Sequence, residues 1–231
     1  MEPNRSFGMG KVTSILLSWK RPRNLSLISR ELGRSPRVDE ILVWNNNARA
    51  KIRPTSAMVI NAPRNFFCLP RYCLVPLAKN DTIWFQDDDV LLTAEQLEII
   101  FHAYLRDPTR IYGIRGRNLD IEGRYLNEPV IGECDIILGQ AMLFHRSLVS
   151  HMFDMLGKLP PITVEDDIVF SLSCKKRHVV VSVGTIADLG SDDAVALWRQ
   201  PNHFEKRQKI VDLMRKSQER PLSVKPRRPP G

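Results

Sequence analysis

Thr82-Ile83-Trp84-Phe85-Gln86-Asp87-Asp88-Asp89-Val90 carries a short, β-prone apolar segment straight into three consecutive carboxylates. The turn-forming Lys79-Asn80-Asp81 precedes it, so the segment reads as a buried parallel strand. Carboxylates just past such a strand lie at the carboxyl edge of an open α/β sheet, where ligands bind. Neighbouring carboxylates repel one another, and a cation relieves the repulsion. Oxygen ligands suit Mg²⁺ or Mn²⁺, and those ions suit a diphosphate. On these residues alone a solvated acidic turn stays an open alternative. A helix–loop–helix calcium site does not fit, because Leu91 and Leu92 stand where that loop needs an oxygen ligand and a glycine.

The chain has 231 residues, 43% of them hydrophobic, which is enough for one sizeable core. The expected globular domain spans residues 10–216. Residues 217–231 form a basic, proline-rich tail of disordered composition. The net charge of +8 favours anionic partners, namely nucleotides, nucleic acid or an acidic membrane surface. Ile15-Leu16-Leu17 is too short for a signal-peptide core or a membrane span. Cys68, Cys73, Cys134 and Cys174 show no zinc-type spacing and no dense disulfide pattern. The expectation is free thiols and a cytoplasmic location, with the basic tail suited to peripheral contact with a membrane.

Outward from the acidic stretch, the chain alternates strands and helices. Residues 12–19 read as a strand ending in the basic turn Lys20-Arg21-Pro22. Asn24 is expected to cap a helix through about Gly33, and residues 40–44 form the next strand, closing on Asn45-Asn46-Asn47. Strand, helix, strand at this spacing is a right-handed βαβ unit. The asparagine amides suit either a base edge or turn chemistry. Residues 57–60 read as a short strand and residues 69–78 as a helix interrupted by Pro76. Thr93 caps a helix over 94–105. Residues 111–115 read as a strand, 116–132 as a hairpin or loop, and 135–144 as one long strand. Gly139, inside that strand, suggests a bulge or a close backbone approach by a ligand. A helix over 147–156 follows. Thr163 with Asp166 resembles a capping box, which puts Glu165, Asp166 and Asp167 in a first helical turn and explains them by the helix dipole alone. Residues 178–183 form a strand, and a last helix covers about 202–214.

Strands alternating with helices imply an α/β fold with one main sheet. The ordered set Ile41-Leu42-Val43-Trp44-Asn45-Asn46, Arg71, Phe85-Gln86-Asp87-Asp88-Asp89, Gly139-Gln140-Ala141-Met142-Leu143-Phe144, Glu165-Asp166-Asp167-Ile168 and Trp198 through His203 to Arg207 resembles the catalytic domain of the exostosin family, glycosyltransferase family 64. The resemblance covers about residues 10 to 215. It implies a GT-A glycosyltransferase fold, with a single mixed, mostly parallel central sheet flanked by helices. It also implies a metal-dependent, retaining transfer of an N-acetylhexosamine or hexose from a UDP-sugar to a hydroxyl of a glycan, protein or lipid. By the same resemblance Asn45 contacts the uracil and Arg71 the nucleotide. Asp87 and Asp88 hold ribose and donor sugar, and Asp89 ligates Mn²⁺ or Mg²⁺. Asp167 sits by the reacting carbon, while Arg207, with His203, grips the diphosphate. Where relatives carry a cysteine before the two aspartates this chain has Glu165, so the disulfide they make there cannot form.

Two rival classes remain. A sugar nucleotidyltransferase wants a glycine-rich loop after the first strand, and Ser18-Trp19-Lys20-Arg21-Pro22 has no glycine. A non-enzymatic basic adaptor would bind RNA or acidic lipid through its tail, yet aromatic stacking motifs for RNA are not evident. Nucleic acid is therefore not an expected partner.

Overall fold

In the computed structural model, which describes residues 10–50, 52, 57–162, 164–190, 199 and 201–219, the chain is built on a mixed eight-stranded sheet. The first half comprises β1 (Val12–Ser18), α1 (Pro22–Leu32), β2 (Val38–Asn45), β3 (Met58–Asn61), α2 (Pro70–Leu74), β4 (Thr82–Gln86), β5 (Val90–Leu91) and α3 (Ala94–Tyr104). Then come β6 (Tyr112–Gly113), β7 (Gly116–Arg117), β8 (Gly132–Cys134), β9 (Ile136–Ile137), β10 (Ala141–His145), α4 (Val149–Leu156), α5 (Asp166–Ser173), β11 (His178–Val180), β12 (Ala187–Asp188) and α6 (His203–Glu219). The main sheet runs β3-β2-β1-β4-β10-β6-β11-β8. Strands β3, β2, β1 and β4 are mutually parallel, whereas β10 is antiparallel to both β4 and β6. β12 pairs with β5, and β7 with β9, as small side ladders.

Alternation along the central strands explains why both faces are dry. Ile15, Leu42, Phe85 and Met142 point into one buried cluster, while their neighbours Leu16, Val43, Trp84 and Leu143 point into the other. α1 and α3 cover the second face through Leu25, Ile28, Leu97, Ile100 and Phe101. α2, α4, α5 and α6 cover the first, where the Phe85 ring meets Tyr72 and Phe144 edge-on at 5.1 and 4.9 Å. Each such edge-to-face pair adds about 0.5–1.5 kcal/mol beyond area burial.

Several elements depart from the sequence expectation. α1 starts at Pro22, whose missing N–H suits a first turn, so no side-chain cap is needed. Asn24 lies inside that helix, and its Nδ2 donates instead to Asp88 O (2.7 Å) and Leu189 O (2.9 Å). The expected strand at 135–144 is broken by a turn at Gly139-Gln140, where a Cβ on Gly139 would fall 2.7 Å from Arg71 Nη2. Arg71 makes a close approach to this glycine and donates to its carbonyl. The strand expected at 111–115 pairs over Tyr112–Gly113 alone, and that at 178–183 ends at Val180. Glu165 is not in a first turn: it is the N-cap of α5, at φ 60°, and no side chain caps the helix. Thr163 and Trp198 lie outside the described residues, as does most of the basic tail. α6 continues to Glu219, past the expected domain edge at 216. No helix among the described residues is long and apolar enough to cross a membrane.

Candidate active site

The parallel strands β1, β2 and β4 end together, and a cleft of about 1120 Å³ opens along that carboxyl edge. Residues 18–21 just past β1, Asp87 to Asp89 past β4, the Gly139-Gln140 turn, the start of α5 and the start of α6 all line it. Of the expected site residues, Arg71, Asp87, Asp88, Asp89, Asp167, His203 and Arg207 meet here, although 95 residues separate Arg71 from Asp166 and 40 separate Asp167 from Arg207.

Asn45 does not line the cleft. It is fully buried, and its Nδ2 donates to Ala50 O (2.5 Å), Asn61 Oδ1 (2.8 Å) and Asn47 O (3.2 Å). Its Oδ1 accepts from the Asn47 N–H (3.0 Å), so both ends of the amide are engaged by the protein. Asn46 reaches the cleft wall but is equally committed, to the Phe66 N–H, Trp44 Nε1 and Phe67 O.

Arg71 is 2% exposed and is a bridge inside the protein. Its Nη2 and Nε donate to Asp166 Oδ2 at 2.5 and 3.0 Å, and its Nη1 donates to Asp87 Oδ1 (3.1 Å) and Gly139 O (2.9 Å). One guanidinium thus ties the end of β4 to the start of α5. All four hydrogen bonds go to protein, while Arg71 also lines the cleft.

Arg21 was legible only as part of a basic turn. It donates to Asp88 Oδ1 (3.1 Å) and Gly190 O (2.6 Å), and Asp89 Oδ2 lies 4.0 Å away. The signal was available: Arg21 follows β1, which is parallel to β4, so both strands deliver what comes next to the same edge. The Trp19 N–H adds a longer bond to Asp88 Oδ2 (3.4 Å). Burial pushes the Asp89 carboxyl up, and the Asp88 and Asp188 carboxylates push it further, against Arg21.

At the other wall, Asp167 accepts from Arg207 Nη2 (2.9 Å) and from the Ile168 N–H (2.9 Å). Both partners of this ion pair are 8% exposed at the side chain. The Arg207 guanidinium also sits 4.8 Å from the Tyr125 ring centroid, a cation–π contact that sequence spacing could not have foretold. Burial lowers the His203 pKa, and the nearby Arg207 cation lowers it further, favouring the neutral imidazole.

Six buried side-chain polar atoms among the described residues have no hydrogen-bond partner, and four line this cleft: Ser18 Oγ, Asp89 Oδ1, Gln140 Oε1 and Arg207 Nε. A buried polar group left unpaired costs about 1–3 kcal/mol, so their convergence marks a surface built for a polar ligand. Asp89 Oδ1 fits a divalent cation. No three His, Cys, Asp or Glu side chains among the described residues converge to cage one.

The model of the glycosyl transferase family 64 domain matches residues 12–226. No curated protein sequence matches the chain. Among solved structures, S. aureus TarS 1-349 in complex with UDP-GlcNAc is similar at 13% identity and TM-score 0.56, over 88% of this chain and 66% of that one. S. aureus TarS 1-349 alone is similar at 12% identity and TM-score 0.52, over 90% of this chain and 71% of that one. At these identities the likeness is one of fold, and the chain spans just under two thirds of the first structure. The match over residues 12–226 takes in the sheet and both walls of the cleft, and the chain belongs to glycosyl transferase family 64.

Proposed function

We propose that this domain is an exostosin-like, GT-A type glycosyltransferase that moves a sugar from a UDP-sugar to an acceptor hydroxyl with retention, assisted by Mn²⁺ or Mg²⁺. The observation that carries the reading is that four unpaired buried polar atoms belong to residues lining the cleft that both carboxylate runs also line. The UDP-GlcNAc complex of TarS, a protein of similar fold, supports a nucleotide-sugar donor. Retention rests on the family resemblance. The acceptor class is a glycan, protein or lipid.

Asp89 would hold the metal through its free Oδ1. When bound, such an ion offsets negative charge on the diphosphate as a Lewis acid. Arg207 keeps Nε free while Nη2 holds Asp167, so it can donate to a phosphate oxygen without releasing its carboxylate. Neutral His203 offers a further donor. Asp87 and Asp88, steered by Arg71 and Arg21, face ribose and donor sugar. Asp167, paired with Arg207, stabilises positive charge developing at the sugar carbon. Breaking the sugar–phosphate bond then separates charge between two prearranged walls.

Calorimetry with UDP, with and without Mn²⁺, tests the donor and the metal together. UDP should bind more tightly with Mn²⁺, and Asp89→Asn should abolish that difference while leaving uridine binding unchanged. Equal UDP affinity with and without the metal would sink the metal assignment. A nucleotidyltransferase would instead bind a nucleoside triphosphate and release pyrophosphate.

A further inference from the structure

Three carboxylates open α5, and the protein spends two of them on its own cations. Asp166 is held by Arg71, and Asp167 by Arg207 and a backbone N–H. The Glu165 carboxylate lines the cleft and has no hydrogen-bond or ion-pair partner among the described residues. Its backbone is left-handed, at φ 60°, a region that favours glycine and is uncommon for a residue with a long side chain. A carboxylate that neither caps its helix nor pairs, yet is kept at a strained position, points to a role outside the fold. The buried, unpartnered Arg207 Nε lines the same wall and independently marks the place as one that expects a ligand.

We infer that Glu165 takes the proton of the acceptor hydroxyl during sugar transfer. The role assigned to Glu165 rests on the glycosyl-transfer reading above. In that step the acceptor oxygen forms its bond to the anomeric carbon while the bond from that carbon to the diphosphate oxygen breaks. The bonding pair leaves with the diphosphate, the hydroxyl proton passes to the Glu165 carboxylate, and Glu165 later releases it to water at the cleft mouth. Asp167 is poorly suited to that task, because both its oxygens already accept hydrogen bonds.

The electrostatics agree with a base that works near neutral pH. Burial, together with Asp167 and Asp166 on the same helix, raises the Glu165 carboxyl to about 7, against the pull of Arg207 and Lys206 from α6. His203 on α6, Arg71 behind Asp166, and Cys68, Arg115, Arg117, Tyr125 and the Asp87–Asp89 run also line the cleft. A base must be ionised to act, so the rate should fall as pH drops below about 7.

The test follows release of UDP from UDP-N-acetylglucosamine by the full chain, with water or added glycerol as acceptor. Glu165→Gln keeps shape and removes the base. It should keep UDP affinity, lower kcat about 100-fold, as removal of a general base does, and lose the acidic limb of the pH profile. Glu165→Gly relieves the backbone strain and should melt no lower than the parent while showing the same loss of turnover. A Gln variant that binds UDP and turns over at the parental rate overturns the role of Glu165 but leaves glycosyl transfer standing. A parent that neither binds UDP nor releases it overturns the functional reading itself. A carbon-detected NMR titration of the Glu165 carboxyl decides the case of a parent that binds UDP without measurable turnover: a midpoint in the ordinary carboxylate range overturns the assignment.

Discussion

Asp87–Asp89 and Glu165–Asp167 are both runs of three carboxylates on one cleft, and they are used in opposite ways. The run past β4 is held chiefly by its backbone. The Asp87 N–H donates to Gln140 O (2.9 Å), Asp88 O accepts from Asn24, and Asp89 O accepts from the Leu189 N–H (2.7 Å). Its side chains are left partly open, with Asp87 33% exposed and one oxygen of Asp89 unpartnered. The run at α5 is held by its side chains: Asp166 and Asp167 are 4% and 8% exposed and each is clamped by a buried arginine. A loop pinned through its main chain can present carboxylates to a ligand. A helix start packed into the core can keep a carboxylate charged only by giving it a cation.

The largest effect that sharpens this contrast is at Arg71, which belongs to both runs. Arg71→Ala should leave Asp166 buried without its cation, costing about 3–5 kcal/mol of folding free energy. Asp87→Asn, which breaks the same network at its exposed end, should cost no more than about 1 kcal/mol. Denaturant unfolding of the two variants measures the difference, and equal losses would mean that the runs are equally structural.

Next in size is Asp167→Asn. The amide keeps one oxygen for Arg207 and gives up the bond from the Ile168 N–H, so donor binding should be near parental and the melting temperature should fall by a few degrees. Turnover should drop by two or more orders of magnitude, about 3 kcal/mol in the barrier. Transfer at near the parental rate would return Asp167 to a purely structural role beside Asp166.

The smallest is Arg207→Ala measured as a ratio. Loss of a charge-assisted bond to the diphosphate should weaken UDP binding by about 1.5–3 kcal/mol more than uridine binding. Calorimetry with both ligands gives that ratio. If UDP and uridine weaken alike, Arg207 serves Asp167 and Tyr125 alone.

Local signals carried much of the sheet. β1, β2 and β4 were legible because buried strands need unbroken apolar runs, and α3 because Thr93 is a local cap ahead of a helical stretch, a cap that the structure completes with Gln96. The region from β6 to β9 was not. Its strands are two or three residues long, too short for a periodic pattern, and exist only because distant partners such as β10 and β11 supply their hydrogen bonds. The partners of Asn24 and Asn45 were not legible for a related reason. An amide announces that it will bond something, but its partners here include Leu189 and Asn61, which no local rule reaches.

By itself the sequence determined that carboxylates would stand at the end of a buried strand, and that an α/β sheet would bring Asp87 to Asp89 to its carboxyl edge. Those properties follow from the order of apolar and charged residues along a few consecutive positions. Only the tertiary structure decided which arginine meets which aspartate, that Arg71 turns inward, that Asn45 is spent on its own turn, and that Glu165 alone of its run is left free in the cleft. Ion pairing in a dry interior depends on distances of a few ångströms between residues 16, 40 and 95 positions apart. Those distances are set by how the whole chain packs, since desolvated charge is tolerated only where packing delivers its partner.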